Sequence, residues 1–224
     1  MLPLNDVEPN RYSPIPFMTI GIILLNVLIF IFGPWPTWDN LMVYAFTPRL
    51  ILQQEGLGVL SSVMATFMHG GLFHLVGNMF PLWVFGRRVE DACGPWRFLL
   101  YYLLAGSLAH IVTLLVFHDD PIPSLGASGA IFGVMGAYLV LYPEGRIRTL
   151  VLFTPIPLWP RIRAVWVIFY FLGVQIIPAI EVAFENVDYN IGYWAHLGGF
   201  AASIFIYLFL RPEAFARYLS NTQV

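Results

Sequence analysis

Apolar runs that contain no charged residue are the feature of this sequence that most constrains its fold. One of them fills the stretch between Asp120 and Glu144, and comparable runs recur along the chain. A membrane-spanning helix needs about 20 consecutive, mainly apolar residues. Hydrophobic residues make up 58% of the 224 and charged residues only 11%, whereas a soluble domain has about 25% charged residues. The chain is therefore predicted to be solvated mainly by lipid.

The apolar runs predict a single domain of six transmembrane helices at residues 17–211. A polar, proline-rich tail precedes it at residues 1–16, and a short tail follows at 212–224. The predicted spans are 17–32, 72–85, 98–117, 126–142, 164–184 and 191–210. The predicted fold class is thus an all-α membrane protein, a bundle of six transmembrane helices, with Pro178 expected to kink the fifth.

Two segments between the spans do not look like ordinary polar loops. Residues 39–71 interleave apolar and polar side chains, which indicates a structured first outer loop embedded in the membrane interface. Trp35 and Trp38 are expected at the same interface, where amphipathic rings prefer to lie. Residues 151–160 are apolar, short and interrupted by prolines, so they are predicted to form a loop that touches the interface.

Arginine, the only basic amino acid in the chain apart from histidine, is concentrated on one side of the predicted bundle. The loops after spans two, four and six carry Arg87, Arg88, Arg97, Arg146, Arg148, Arg161, Arg163, Arg211 and Arg217. The opposite loops hold mainly carboxylates, with Arg49 their only arginine. The positive-inside rule therefore places both termini in the cytoplasm. No cleavage site follows the first span, so it is expected to be retained, and the absence of a transit peptide favours a prokaryotic inner membrane.

Charge and cysteine content exclude several classes of function. A net charge of −2 is too near zero to indicate a nucleic-acid partner. The single cysteine, Cys93, cannot form an internal disulfide. His69 and His74 are five residues apart and do not share a helix face, and no carboxylate or thiol near them completes a zinc site. A zinc site is therefore not expected.

Four polar groups far apart in sequence are predicted to lie at one depth, just below the outer surface. Spans two, four and six all run from outside to inside in this topology. His74 and Asn78 lie in the first turns of span two, Ser128 opens span four, and His196 lies early in span six. Polar groups within membrane spans are costly and mark candidate functional sites.

The types of these side chains suit acyl transfer. An imidazole such as that of His196 can take the proton of the Ser128 hydroxyl and so make it a nucleophile. Attack on a carbonyl creates an oxyanion that needs hydrogen-bond donors. His74 and Asn78, spaced i and i+4, form a donor pair on one helix face.

The residues around Ser128 complete the predicted site. Gly126 and Gly129 flank Ser128, so that backbone amides can approach the same oxyanion. No carboxylate is evident to orient His196, which favours a Ser–His dyad with the ring stacked on Phe132, one turn after Ser128. The apolar part of span four, residues 127–142, covers only about 24 Å at 1.5 Å per residue, short of a hydrocarbon core of about 30 Å, which leaves room for water above Ser128.

The sequence also resembles the rhomboid intramembrane serine proteases, over about residues 60–210. The motifs that carry the resemblance are His69-Gly70-Gly71, His74-x-x-x-Asn78, Glu90-x-x-x-Gly94, Gly126-Ala127-Ser128-Gly129 and Ala195-His196-Leu197-Gly198-Gly199. They occur in the family's order, and together they are highly specific. Many members carry Trp-Arg in the first outer loop, where this chain has Leu60-Ser61, so the anchoring of that loop is expected to differ.

The resemblance implies a six-helix core with Ser128 as nucleophile and His196 as general base. It implies that His74, Asn78 and the amide of Ser128 donate to the oxyanion. It also implies cleavage of single-span membrane proteins near their outer ends, usually at small residues, without a cofactor or metal. Substrates are expected to enter sideways past span five and the loop at 185–192.

Structural and functional alternatives remain open. Ser128 and His196 can instead be polar residues of packed helices, and His74 and Asn78 can form an interhelical hydrogen bond that fixes spans two and four. His69 is expected to order the outer loop by bonding to backbone, and Glu90 to accept from backbone amides or pair with Arg87. The competing functions are a non-catalytic rhomboid relative that binds membrane clients, and a small-solute channel or transporter. The latter is disfavoured because no polar path reaches the cytoplasmic face.

Overall fold

The computed structural model describes residues 2–33, 37–151, 157–184 and 192–209. The predicted interface residue Trp35, the loop at 185–191, the arginines Arg211 and Arg217 and the tail at 212–224 lie outside these ranges. The helices are α1 (Phe17–Phe32), α2 (Trp38–Tyr44), α3 (Pro48–Leu52), α4 (Leu60–Ala65), α5 (Leu72–Pro81), α6 (Arg87–Cys93), α7 (Pro95–Val116), α8 (Ser128–Leu141), α9 (Ala164–Phe184) and α10 (Tyr193–Phe209). Three short strands, β1 (Leu2–Asp6), β2 (Arg146–Leu150) and β3 (Arg161–Arg163), accompany them.

The long helices coincide with the predicted apolar runs. Among the described residues, Pro95–Val116 and Ala164–Glu181 are long and apolar enough to cross a membrane, and α1 and α8 are shorter apolar helices. The predicted bounds of the first and fifth spans match α1 and α9. Pro178 lies inside α9, which continues beyond it. Residues 39–71 contain the three short helices α2, α3 and α4.

The second span does not end at Gly86-Arg87-Arg88, as the sequence analysis expected. A π-helical turn at Leu82–Gly86 follows Pro81, and helix resumes in α6 as far as Cys93. A π turn accommodates the amide that proline lacks. Arginine marks the end of a span only if its charge reaches water, but Arg88 is 1% exposed. The prediction was wrong because Arg88 is buried between two carboxylates, those of Asp6 and Asp91.

Helix α8 occupies the centre of the bundle, between α7 and α10. Eleven of its 14 residues are buried, as expected for a helix that is apolar on all sides. Small residues permit this close packing: a methyl group added at Gly129 would lie 2.5 Å from the Ala109 Cβ, and one at Gly133 would lie 2.6 Å from the Ala105 Cβ. The backbones of α7 and α8 therefore touch, which fixes the position of the first turn of α8.

A three-stranded antiparallel sheet of order β1-β2-β3 lies at the opposite end of α8 from Ser128. Residues 2–6, which the sequence analysis assigned to a tail, pair with β2, so that Asp6 lies opposite Ile147. Residues 146–150 and 161–163 form a hairpin before α9. Strands of three to five residues, interrupted by prolines or arginines, give too short an alternation to be predicted.

A buried polar network ties this sheet to the helices. Arg88 Nε lies 3.1 Å from Asp6 Oδ2, and the hydroxyl of Tyr138 donates to the same oxygen at 2.7 Å. Asp91 accepts from three successive backbone amides at residues 11–13. These bonds hold the N-terminal segment against the helices.

Glu90 ties α1 to α6. It accepts from the backbone amides of Met18 and Thr19, at 2.9 and 2.7 Å, and from the hydroxyl of Thr19. This confirms the expectation that Glu90 bonds to backbone amides.

Candidate active site

Ser128 is the first residue of α8 and lies at the end of the bundle remote from the sheet. The preceding turn is held in place because the amide of Gly126 donates to the Ala65 carbonyl at 2.8 Å. Ser128 is partly exposed. The amides in the first turn of a helix have no intrahelical acceptor, and this end of the helix favours negative charge.

His196 and Ser128 are in direct contact. The Ser128 Oγ lies 2.7 Å from the His196 Nε2. His196 is in the first turns of α10 and is 8% exposed. Its ring stacks on Phe132, with centroids 4.7 Å apart and an angle of 11° between the planes. The structure thus brings together the serine, the histidine and the aromatic ring that the sequence predicted to meet.

The other ring nitrogen of His196 also has a partner. His196 Nδ1 lies 2.8 Å from Oε1 of Gln175, which projects from α9. The sequence analysis assigned no role to Gln175. The signal that was available is an amide in an otherwise apolar membrane helix, which is costly unless it has a hydrogen-bond partner.

His74 and Asn78 line the other side of Gly126. A methyl group added at Gly126 would lie 2.7 Å from His74 Nε2 and 3.6 Å from Asn78 Nδ2. Gly126 has φ +119°, which an L side chain rarely adopts. Glycine at position 126 therefore leaves room for both nitrogens beside the turn that carries Ser128.

The hydrogen bonds of this pair indicate which atoms can donate. The amide of Gly70 donates to His74 Nδ1 at 3.4 Å, so in the neutral ring the proton lies on Nε2, the atom that faces Gly126. Asn78 is 7% exposed, and its Nδ2 has no hydrogen-bond partner within the described ranges. Two donors that have no acceptor among the described residues thus point towards the turn that carries Ser128.

The two glycines that flank Ser128 differ in role. The sequence analysis expected the amide of Gly126 to approach the oxyanion. This expectation was wrong, because that amide already donates to the carbonyl of Ala65. The α-carbon of Gly129 packs against Ala109 in α7. The amides of Ser128 and Gly129 remain as candidate backbone donors in this turn.

His69 lies beside His74 but makes no comparable contact with Ser128. The two imidazole centroids are 5.1 Å apart, at an angle of 67°. The pKa of His69 is lowered to about 4, mainly by burial and to a smaller extent by the neighbouring His74. The backbone of Phe67 acts in the opposite direction and raises the pKa. The backbone of Phe67 interacts with the His69 ring, but neither ring nitrogen forms a hydrogen bond of normal geometry with the described residues.

Two further points concern histidines and metals. His110 is buried against Phe46, with centroids 4.9 Å apart, and lies outside the group around Ser128. In the ranges that the structure describes, no three His, Cys, Asp or Glu side chains are grouped so that they could hold a metal ion.

Comparison with known proteins places the chain in a family. A family model described as the rhomboid domain matches residues 58–213. The human presenilin-associated rhomboid-like protein, mitochondrial, is 33% identical over 188 residues, which cover 80% of this chain and 44% of that protein. Rhomboid protein 1, mitochondrial, of Saccharomyces cerevisiae is 30% identical over 207 residues, covering 87% and 54% of the two chains. Rhomboid protease GluP of Bacillus subtilis is 38% identical over 136 residues, covering 58% and 26%.

This chain spans about half the length, or less, of these relatives. The matched range nevertheless contains every residue of the group around Ser128, from His69 to His196. It also contains the helices that pack around α8. The chain therefore belongs to the rhomboid family and is a helical integral membrane protein.

Proposed function

We propose that this protein is an intramembrane serine endopeptidase that cleaves membrane proteins with a Ser128–His196 dyad. The observation that carries the proposal is the contact of 2.7 Å between Ser128 Oγ and His196 Nε2. A general base must lie within hydrogen-bond reach of the proton that it removes. The stacking of His196 on Phe132 keeps the ring in that position.

The proposed reaction follows the chemistry of acyl transfer. His196 Nε2 takes the hydroxyl proton as Ser128 Oγ attacks the peptide carbonyl, and the imidazolium then gives this proton to the leaving amine. The acyl-enzyme is hydrolysed by a water that His196 deprotonates in the same way. His74 Nε2, Asn78 Nδ2 and the Ser128 amide donate to the oxyanion, and each such donor contributes a factor of about 10²–10³ to the rate.

Six membrane spans are proposed for the helical core. They are α1, the run from α5 to α6, α7, α8, α9 and α10, with both termini in the cytoplasm and Ser128 near the outer face. The 14 residues of α8 extend about 21 Å at 1.5 Å per residue, less than the hydrocarbon core of about 30 Å. This supports a recess in which water reaches Ser128 from the outer side.

The proposed substrates are single-span membrane proteins that enter past α9 and the loop at 185–192. One relative carries the name of a rhomboid protease, which supports peptide hydrolysis. The site is proposed to need no cofactor. A prokaryotic inner membrane is the proposed location, and relatives named as mitochondrial show that the family extends to that organelle.

Purified protein in detergent is expected to cleave a single-span substrate and to react with a fluorophosphonate, which labels activated serines. Ser128→Ala and His196→Ala are each expected to abolish cleavage, and Asn78→Ala to slow it by less because other donors remain. Ser107→Ala is the matched control, since it removes a hydroxyl bonded to Ser62 and not to His196.

Two outcomes would contradict this proposal. Cleavage that persists in Ser128→Ala would exclude the serine mechanism. A wild-type protein that binds substrate but neither cleaves it nor reacts with the fluorophosphonate would instead be a client-binding relative without catalytic activity.

A further inference from the structure

We propose that Gln175 is a positioning residue for His196, so that the proposed dyad works as a Ser–His–Gln unit. This inference rests on the proposed function. It starts from the hydrogen bond of 2.8 Å between Gln175 Oε1 and His196 Nδ1. The two side chains come from different helices, α9 and α10, and meet at the ring that contacts Ser128.

The bond selects the tautomer that catalysis needs. A neutral imidazole carries one proton, on either Nδ1 or Nε2. A carbonyl oxygen at Nδ1 accepts a hydrogen bond, so it places the proton there and leaves Nε2 with a free lone pair. That lone pair faces Ser128 Oγ and can receive its proton. The opposite tautomer would direct an N–H at the hydroxyl and could not act as a base.

An amide also suits the surroundings better than the carboxylate of a conventional triad. An ionised side chain within a membrane bundle has a large desolvation cost, whereas a neutral amide does not. The carbonyl dipole of Gln175 still accepts from Nδ1–H after His196 has become an imidazolium. The missing carboxylate is therefore replaced by a group that orients the ring without adding a buried charge.

A second hydrogen bond holds α9 and α10 in register at this point. The indole N–H of Trp194, two residues before His196, donates to the carbonyl of Ala179 at 2.8 Å. Ala179 lies one helical turn after Gln175. Gln175 is thus held within reach of the ring by a contact that does not involve its own side chain.

The test compares Gln175→Met, which keeps the length of the side chain but removes the acceptor, with Gln175→Glu, which restores an acceptor. Loss of one such hydrogen bond is expected to lower kcat about tenfold to a hundredfold with little change in KM. Gln175→Glu is expected to recover activity and to move the acid limb of the kcat/KM profile to higher pH, because an anion favours the imidazolium. Val174→Met, on an exposed part of the same helix, is the control.

The tautomer itself can be measured without activity. In protein labelled with ¹⁵N-histidine, the signals of His196 are assigned as those that disappear in His196→Ala. They are expected to show the proton on Nδ1 in the wild type and a mixture of the Nδ1–H and Nε2–H tautomers in Gln175→Met. If Gln175→Met has the kcat, the pH profile and the His196 tautomer of the wild type, the inference about Gln175 is overturned. The proposed Ser128–His196 dyad would not be affected by that result. Failure of the proposed function appears differently, as activity that survives in Ser128→Ala.

A different observation carries a second inference. The register of the β2–β3 hairpin places Arg146 directly opposite Arg163, and Arg148 opposite Arg161. All four are exposed. Ile147, which lies between Arg146 and Arg148 on β2, is fully buried on the other side of the sheet. One face of the hairpin, here called the arginine face, therefore presents these four guanidinium groups together.

Within the described residues, only one of these four charges has a counterion. Arg163 pairs with an exposed carboxylate, Glu144, and the described part of the chain records no ion pair for the other three. Like charges directly opposite each other destabilise an antiparallel pair. We infer that the arginine face binds anionic phospholipid headgroups, since the planar guanidinium matches the geometry of a phosphate.

The position of the hairpin favours lipid over a soluble anion. β3 leads directly into the apolar helix α9 at Ala164, so the hairpin starts at the membrane surface. At its far end Leu158 and Trp159 are exposed, and tryptophan is typical of the membrane interface.

The test measures how strongly the full-length protein prefers spin-labelled phosphatidylglycerol over spin-labelled phosphatidylcholine in phosphatidylcholine bilayers. Arg148→Gln with Arg161→Gln is expected to lower this preference about fivefold or more. The control with the same change in charge is Arg11→Gln with Arg49→Gln. Equal loss in both double variants, full retention in the first, or displacement of the lipid by inorganic phosphate would overturn the inference.

Discussion

Replacing Gly126 by alanine tests the arrangement of the oxyanion donors with a single methyl group. The new Cβ would lie 2.7 Å from His74 Nε2 and 2.8 Å from its Cε1. Ordinary contact begins at about 3.4 Å, so the imidazole must move by about 0.7 Å or the turn before Ser128 must shift. Either response changes the distance between the donors and the oxyanion.

Two separate effects set the expected magnitude. A misplacement of about 1 Å in a catalytic group costs about 10²-fold in rate, and loss of one oxyanion donor costs about 10²–10³. Gly126→Ala is therefore expected to lower kcat by about 10²–10³. The strain of alanine at φ +119° adds a loss of about 1–3 kcal/mol in the free energy of unfolding, which is too small to unfold a typical domain.

The assay is cleavage of a single-span substrate in detergent, with thermal unfolding measured on the same samples. Gly77→Ala is the matched control, because it adds a methyl group to the helix of His74 and Asn78 where nothing lies within 4 Å. This control is expected to keep wild-type activity. A folded Gly126→Ala protein with wild-type kcat would refute the proposed role of the His74 side of the site.

Three further predictions concern buried polar groups. Arg88→Ala leaves Asp6 without its buried partner and is expected to cost about 3–5 kcal/mol in the free energy of unfolding, measured by denaturant titration. Burial lowers the pKa of His69 to about 4, so the folded state binds a proton at this ring less readily than the unfolded state. The free energy of unfolding is therefore unaffected by His69 above about pH 6.5 and decreases as the pH falls towards 4. At pH 5 the wild type should lose about 2 kcal/mol that His69→Gln does not lose. Asn78→Leu removes an unpartnered amide nitrogen and is expected to raise the unfolding temperature while lowering kcat, as is common when an active-site group is replaced.

The sequence predicted those parts of the fold that depend on local periodicity. The bounds of α1 and α9 were predicted because an uncharged apolar run has few alternatives to a long helix. Ser128 and His196 were predicted to meet because spans two, four and six run in the same direction, so that the first turns of these helices lie at one depth. Phe132 followed from its position one turn after Ser128.

The remaining features depend on contacts between distant segments. Arg88 was taken as the end of a span, but its counterion Asp6 lies 82 residues away on a strand that sequence did not predict. The role of Gln175 depends on how α9 is rotated and shifted against α10. Neither quantity is fixed by hydrophobic pattern, because a span that is apolar on most sides can face its neighbours in several ways.

The buried carboxylates near the sheet and the buried amide near Ser128 differ in how well they are satisfied, and this contrast bears on function. Near the sheet Glu90 accepts from two amides and a hydroxyl, and Asp91 from three amides. At the other end the Nδ2 of Asn78 has no acceptor among the described residues, at a cost of about 1–3 kcal/mol. A scaffold that only bound membrane clients would gain stability from an apolar residue there. A donor held without an acceptor gains an advantage when negative charge appears beside Ser128, which is the event that defines the proposed reaction.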